Sequence, residues 1–197
     1  MPLRASTDSA VDRVLTEAQA GNRSALDQLY SLVYAELRVL ARRQRRRWDA
    51  NGTLNTTAIV HETYLKLARQ PALRLQTRAQ FFALAATAIR HIVSNYARDR
   101  RTKKRGSGQR RVSLDDMTGH PGELYLTDGQ IELLIAIDEA LTRLERTSPR
   151  QRGIVECRFF GGMSVEETAE AIGVSPRTVK RDWMLAQAWL ERELHPV

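Results

Sequence analysis

Apolar residues recur every three or four positions through most of the chain, and the alternation that marks a strand is nearly absent, so the pattern predicts an all-α fold. A first helix, roughly Asp8 to Ala20, carries Val11, Val14, Leu15 and Ala18. Leu26, Leu29, Val33, Leu37 and Leu40 form one stripe on a second, which begins after Gly21-Asn22 and runs into a block of arginines. WDANGTL, Trp48 to Leu54, reads as a loop. Val60, Tyr64, Leu67 and Ala68 mark a third helix, ended by Pro71. Thr77 and Gln80 have capping-box spacing and open a fourth, with Phe82, Ala85, Ile89, Ile92 and Tyr96 facing inward.

After that helix the composition changes. Gly106 to Gln130 has five glycines, one proline and no sustained period, which predicts a linker. Ile131 to Leu144 and Pro149 to Phe160 are again helical in pattern, followed by Gly161-Gly162. The expected organisation is therefore a helical domain over 1–105, a flexible linker over 106–130 and a second helical domain over 131–197.

The end of the second domain contains ETAEAIGVSPRTVKRDW, Glu167 to Trp183. Ser164 and Glu167 have capping-box spacing, so a helix should start at Val165. Ala169 is small where another helix must cross, Gly173 suits a turn with positive φ, and Val174 and Val179 can close the core between them. Ser175 is placed to cap the next helix, and Pro176 fits its first position because that turn needs no N–H from it. Val179, Trp183, Ala186 and Leu190 then share one face, leaving Arg177, Lys180, Arg181 and Met184 on the other. This is the layout of a helix-turn-helix, one face buried and the other free to enter a major groove.

Charge supports a polyanionic partner. The 197 residues carry a net charge of +8. Arg42 to Arg47 and Arg98 to Arg111 hold 13 of the 31 basic residues and one of the 23 acidic ones. The rest, with 18 basic and 22 acidic residues, has a net charge of −4, so the positive charge is confined to two sites. The lone cysteine, Cys157, cannot form an internal disulfide and sits among apolar neighbours as a core residue. No apolar run approaches the ~20 residues that span a bilayer, and the N-terminus lacks the apolar core of a secretory signal, so a soluble protein of a reducing cytoplasm, without membrane contact, is expected. HETYL at His61 begins like a zinc-protease motif but ends on Leu65, and there is no P-loop, Cys-x-x-Cys or Gly-x-Ser-x-Gly. No catalytic centre, metal, cofactor or small-molecule substrate is expected.

The stretch from Leu141 to Leu194, LTRLERTSPRQRGIVECRFFGGMSVEETAEAIGVSPRTVKRDWMLAQAWLEREL, resembles the C-terminal domain of the extracytoplasmic-function sigma factors of bacterial RNA polymerase. The resemblance continues, less closely, from about Ala25 to Arg105, through LNTTAIVHETYLKLARQ and FFALAATAIRHIVSNYARDRRTKKRG. It implies a subunit that binds core RNA polymerase and directs it to promoter DNA to initiate transcription. An anti-sigma protein joins the expected partners because the family often has one, although no residue here identifies it.

By that resemblance the helix-turn-helix reads the upstream (−35) element as duplex, with Lys180, Arg181 and Met184 at the bases and Arg177 and Thr178 nearer the backbone. The downstream (−10) element, taken as an unpaired strand, falls to the loop Pro71 to Arg78, with Arg74 and Arg78, and to the fourth helix. There Thr87, Arg90, His91, Ser94 and Arg98, all expected to be exposed, and Arg101 are the candidates. Leu84 and His91 stand where the family commonly has tryptophan and asparagine, which leaves the promoter preference open. His61, Glu62, Tyr64 and Lys66 fall on the polymerase-binding pattern, with Glu62 foremost. The rival is a free-standing helix-turn-helix regulator that binds its operator without polymerase, usually as a dimer.

Overall fold

The computed structural model describes residues 10–17, 23–48, 55–68, 75–106 and 128–194. They form helices α1 (10–17), α2 (Arg23–Trp48), α3 (Thr56–Ala68), α4 (Arg78–Gly106), α5 (Asp128–Thr147) and α6 (Pro149–Val155). Helix α6 continues directly into a π-helical turn, Glu156–Phe160, and α7 (Val165–Ile172) and α8 (Pro176–Leu194) follow. No strand occurs among the described residues, so the all-α expectation holds. Most of the segment expected to be a linker lies outside the described residues, although α5 begins at Asp128, three residues before the periodicity becomes visible.

Local chemistry sets the helix starts. The Asn55 side chain accepts from Thr57 N–H at 2.9 Å and begins α3. At α4, Gln80 N–H donates to Thr77 Oγ1 at 3.3 Å, which is half of the expected box, while the Gln80 side chain turns one residue further back and accepts from Gln76 N–H at 2.7 Å. A carboxylate from α1, Asp12, accepts from Arg78 N–H at 2.8 Å, placing negative charge at the positive end of α4. The expected loop at Trp48 is corrected. Trp48 is the last, buried residue of α2, and its indole N–H donates one turn back to Gln44 Oε1 at 3.2 Å; residues 49–54 of that expected loop lie outside the described residues.

The α2 stripe is buried as expected at Leu29, Val33, Leu37 and Leu40. It packs on α3, and α3 packs on α4. Tyr64 on α3 lies against Tyr30 with ring centroids 4.5 Å apart and donates to Asp27 Oδ1 at 2.5 Å. One apolar cluster runs from Val11 and Leu29 through Ile89 and Val93 into Leu141, Phe160 and Ala186, and so joins the first four helices to the last four. Helix α4 is the hinge of this packing, in contact with α3 on one side and with α5, the π turn and α7 on the other.

Candidate nucleic-acid interface

The α7–α8 unit is built as its sequence predicts. Ser164 Oγ accepts from Glu167 N–H at 3.0 Å, and Ser164 N–H donates to Glu167 Oε2 at 2.7 Å, a complete capping box. Gly173 ends α7 at φ +74°, where a side chain would be strained, and its N–H and that of Val174 both reach Ala169 O. Ser175 Oγ accepts from Thr178 N–H at 3.2 Å and starts α8. Buried Ile154, Ala169 and Val179, with Val165, Ile172, Val174 and Trp183 around them, form a small core of their own.

That core fixes the direction of α8. Arg177, Lys180, Arg181 and Met184 are exposed, Met184 by 63%, whereas Thr178 is half-buried and bonded to Ser175. One carboxylate escaped the sequence reading. Asp182 is buried, with Arg150 Nε on one oxygen at 2.6 Å and Arg181 Nε on the other at 3.0 Å. Burial pushes its carboxyl up, but the hydrogen bonds and charges of Arg150 and Arg181 outweigh this and hold it below the ordinary carboxylate range. Asp182 therefore ties α6 to α8 and restrains one of the expected base-reading side chains.

Helix α4 departs from expectation. Arg90 and Ser94 are buried, and Thr87 and Arg98 are half-buried, rather than exposed. The reason is that α5 and the π turn lie over this face. Arg90, only 3% exposed, donates through Nε to Asp138 Oδ1 and through Nη1 to Glu156 Oε1, both at 2.6 Å, and through Nη2 to Thr142 Oγ1 at 3.2 Å. Burial disfavours its charge, yet Asp138 and Glu156 more than compensate and raise its pKa above the ordinary value. Thr87 Oγ1 donates to Glu156 Oε2 at 2.7 Å, and Arg98 pairs with Asp138. Arg152 also holds Glu156, at 2.8 and 2.9 Å. Ser94 Oγ has no hydrogen-bond partner among the described residues. His91 alone of the group is exposed, its imidazole held below the ordinary pKa by desolvation and by the Arg90 charge.

The remaining candidates are scattered. Arg101 is half-buried and reaches Glu132 at 3.4 Å. Arg78 pairs with Glu36, and its guanidinium lies 4.6 Å from the Phe82 ring centroid. Arg74 lies outside the described residues. On α3, His61 and Glu62 are exposed and Lys66 half-buried, while Tyr64 is engaged with Tyr30 and Asp27.

The first arginine block is partly consumed by packing. Gln44 is fully buried within it and donates to the carbonyls of Phe159 and Phe160 at 3.1 and 2.8 Å. Arg47 donates to Phe159 O at 3.2 Å, with its guanidinium 4.2 Å from the Phe159 ring centroid. These groups serve carbonyls at the end of the π turn, where Gly161 N–H returns to Glu156 O at 2.9 Å.

Among the described residues, no group of three or more His, Cys, Asp or Glu is arranged to hold a metal, and no helix is long and apolar enough to cross a membrane. Cys157 is buried and its thiol is pushed up to about 12, mainly by desolvation. In comparison with known proteins, a family model described as ECF sigma factor matches residues 8–196. No curated protein matches the chain.

Proposed function

The chain belongs to the ECF sigma factor family, and from that premise we propose that it directs core RNA polymerase to promoters by reading two separate elements. The observation that carries this is the exposed row Arg177, Lys180, Arg181 and Met184 on α8, backed by a helix face that is packed away. An arginine or lysine there suits the acceptor edge of guanine in the major groove, where a bidentate contact is worth ~1–3 kcal/mol against a wrong base. Arg177 and Thr178, in the first turn of α8, suit the phosphate backbone of the −35 duplex.

The outer side of α3, with His61, Glu62 and Lys66, is the proposed polymerase contact, Tyr64 supporting it through α2. The proposed −10 strand reader is α4, using Thr87, Arg90, His91, Ser94, Arg98 and Arg101, with Arg78 at its start and Arg74 before it. Contact through Arg90 and Ser94 requires the C-terminal helices to lie elsewhere than on α4, because both residues are covered in the arrangement described.

The test is transcription from a library of promoter fragments by purified core polymerase with and without the chain. We expect discrete starts that appear only when both are present. If the chain occupies DNA tightly by itself, as a dimer, and adds no starts, the proposal fails in favour of a free-standing regulator.

A further inference from the structure

Of the three cations in the exposed row of α8, Arg181 alone is held by another side chain among the described residues. It donates through Nε to Asp182 Oδ1 at 3.0 Å, and its Nη2 lies 2.9 Å from the same oxygen, yet the side chain as a whole stays 61% exposed. Asp182 is fixed in turn. It is 1% exposed, and its second oxygen accepts from Arg150 Nε at 2.6 Å. Its carboxylate is thus too deep to reach a base, and both of its oxygens have partners.

The engaged edge of the guanidinium decides what is left for DNA. Arginine carries five N–H groups in one rigid plane, one on Nε and two on each terminal nitrogen. Asp182 occupies the side of this fork, Nε and Nη2. The end of the fork, one N–H of Nη1 and the outer N–H of Nη2, has no partner among the described residues. Those two donors run parallel, the pattern that fits O6 and N7 on the major-groove edge of guanine. Adenine sets a donor beside its N7, and thymine offers O4 alone, so neither accepts both.

We infer that Asp182 is a positioning residue for base specificity, holding Arg181 by the side of its guanidinium so that the end is presented to a guanine. This rests on the base-reading role proposed for Arg181. Released from Asp182, the arginine would turn to single acceptors on other bases, and the preference would relax although the positive charge remained. The hold also removes a cost of binding. Immobilising a rotamer-rich side chain weakens affinity by about 2- to 12-fold, and Asp182 orders Arg181 beforehand.

A purely structural Asp182 would act through its other oxygen, tying α6 to α8 by way of Arg150, so the two roles separate by substitution. The experiment uses the full chain with core polymerase on a promoter library and reads base preference at each upstream position. Arg181→Ala identifies the base that Arg181 reads. Asp182→Asn, which keeps the shape and loses the charge, should lower guanine preference at that position by about 2- to 12-fold and leave the other positions unchanged. Added to Arg181→Ala, it should change the preference no further. Arg150→Gln, which leaves Oδ1 on Arg181, should retain the preference.

The inference is overturned if Asp182→Asn leaves the preference intact or weakens all positions alike, or if Arg150→Gln reproduces its effect. A second measurement needs no substituted chain. Placing 7-deazaguanine, which lacks N7, at that position should weaken binding by about 2- to 12-fold, the worth of one hydrogen bond; unaltered binding overturns the two-pronged grip. Should Arg181→Ala relax no single position, the base-reading role of Arg181 fails and takes this inference with it, a result distinct from failure at Asp182 alone.

Discussion

Replacing Arg90 with methionine isolates the energetics of the charge cluster, because the side chain keeps much of its length and loses its charge. It leaves Asp138 and Glu156, 5% and 2% exposed, without their shared cation. Breaking a buried pair in this way costs ~3–5 kcal/mol. Asp138 keeps Arg98 and Glu156 keeps Arg152, so the low end, ~3 kcal/mol, is expected. In urea, with a slope of ~1–3 kcal/mol per molar, the midpoint should fall by roughly 1 M or more at constant slope. Adding Asp138→Asn and Glu156→Gln should recover most of the loss, since neutral amides do not need the cation.

The pH dependence follows in sign. Burial raises the pKa of Asp138, but Arg90 and Arg98 more than reverse this, so the folded value lies below the ordinary one. A depressed folded pKa contributes stability above the unfolded value of ~3.9, and that contribution is lost as pH falls through the folded value. Arg90→Met should therefore move acid unfolding to higher pH. A loss under ~1 kcal/mol, or an equal loss in the triple variant, would refute the account of Arg90 as the buried counter-charge.

Other expectations are narrower. Gly173→Ala meets open space and should cost only the ~1–2 kcal/mol of the left-handed backbone. Gly161→Ala would put a Cβ 2.6 Å from Cys157 O and 3.0 Å from Ala86 Cβ, so thermal unfolding should show a larger loss there, with displacement of the π turn from α4. In a promoter-library assay Arg181→Ala should relax preference at one base position, whereas Arg177→Ala should weaken all sequences alike and lower the salt slope by about 1. Glu62→Lys, at an exposed site, should abolish core-polymerase binding in a pull-down while leaving the unfolding curve unchanged. Cys157, its thiol pushed up to about 12, should resist alkylation at neutral pH until the chain is unfolded.

Features that depend on neighbours in sequence were legible beforehand. Ser164 with Glu167, Gly173, and Ser175 with Pro176 fix the α7–α8 unit through bonds spanning a few residues, and the structure reproduces them closely. Pairing across the chain was not legible. Arg90 lies 48 residues from Asp138 and 66 from Glu156, and nothing in a helical period records such a partner. A signal did exist in the acids themselves. Asp138 follows buried Leu134, Ile135 and Ile137, and Glu156 follows Ile154 and Val155, so each is a charge placed on an apolar face. Helix α4 was misread because its apolar arc is wider than one contact needs. Ala86, Val93 and Ala97 are buried beside Ala85, Ile89 and Ile92, as a helix packed on two sides requires.

The π turn makes the winding of one short segment a determinant of aim. Glu156 reaches Arg90, and the Phe160 carbonyl reaches Gln44, from a segment wound at five residues to the bond rather than four. Wound instead as ordinary α-helix, at about 100° per residue, the same five residues would rotate everything downstream by roughly a further quarter turn. Composition would not change at all, yet α8 would point along a different azimuth.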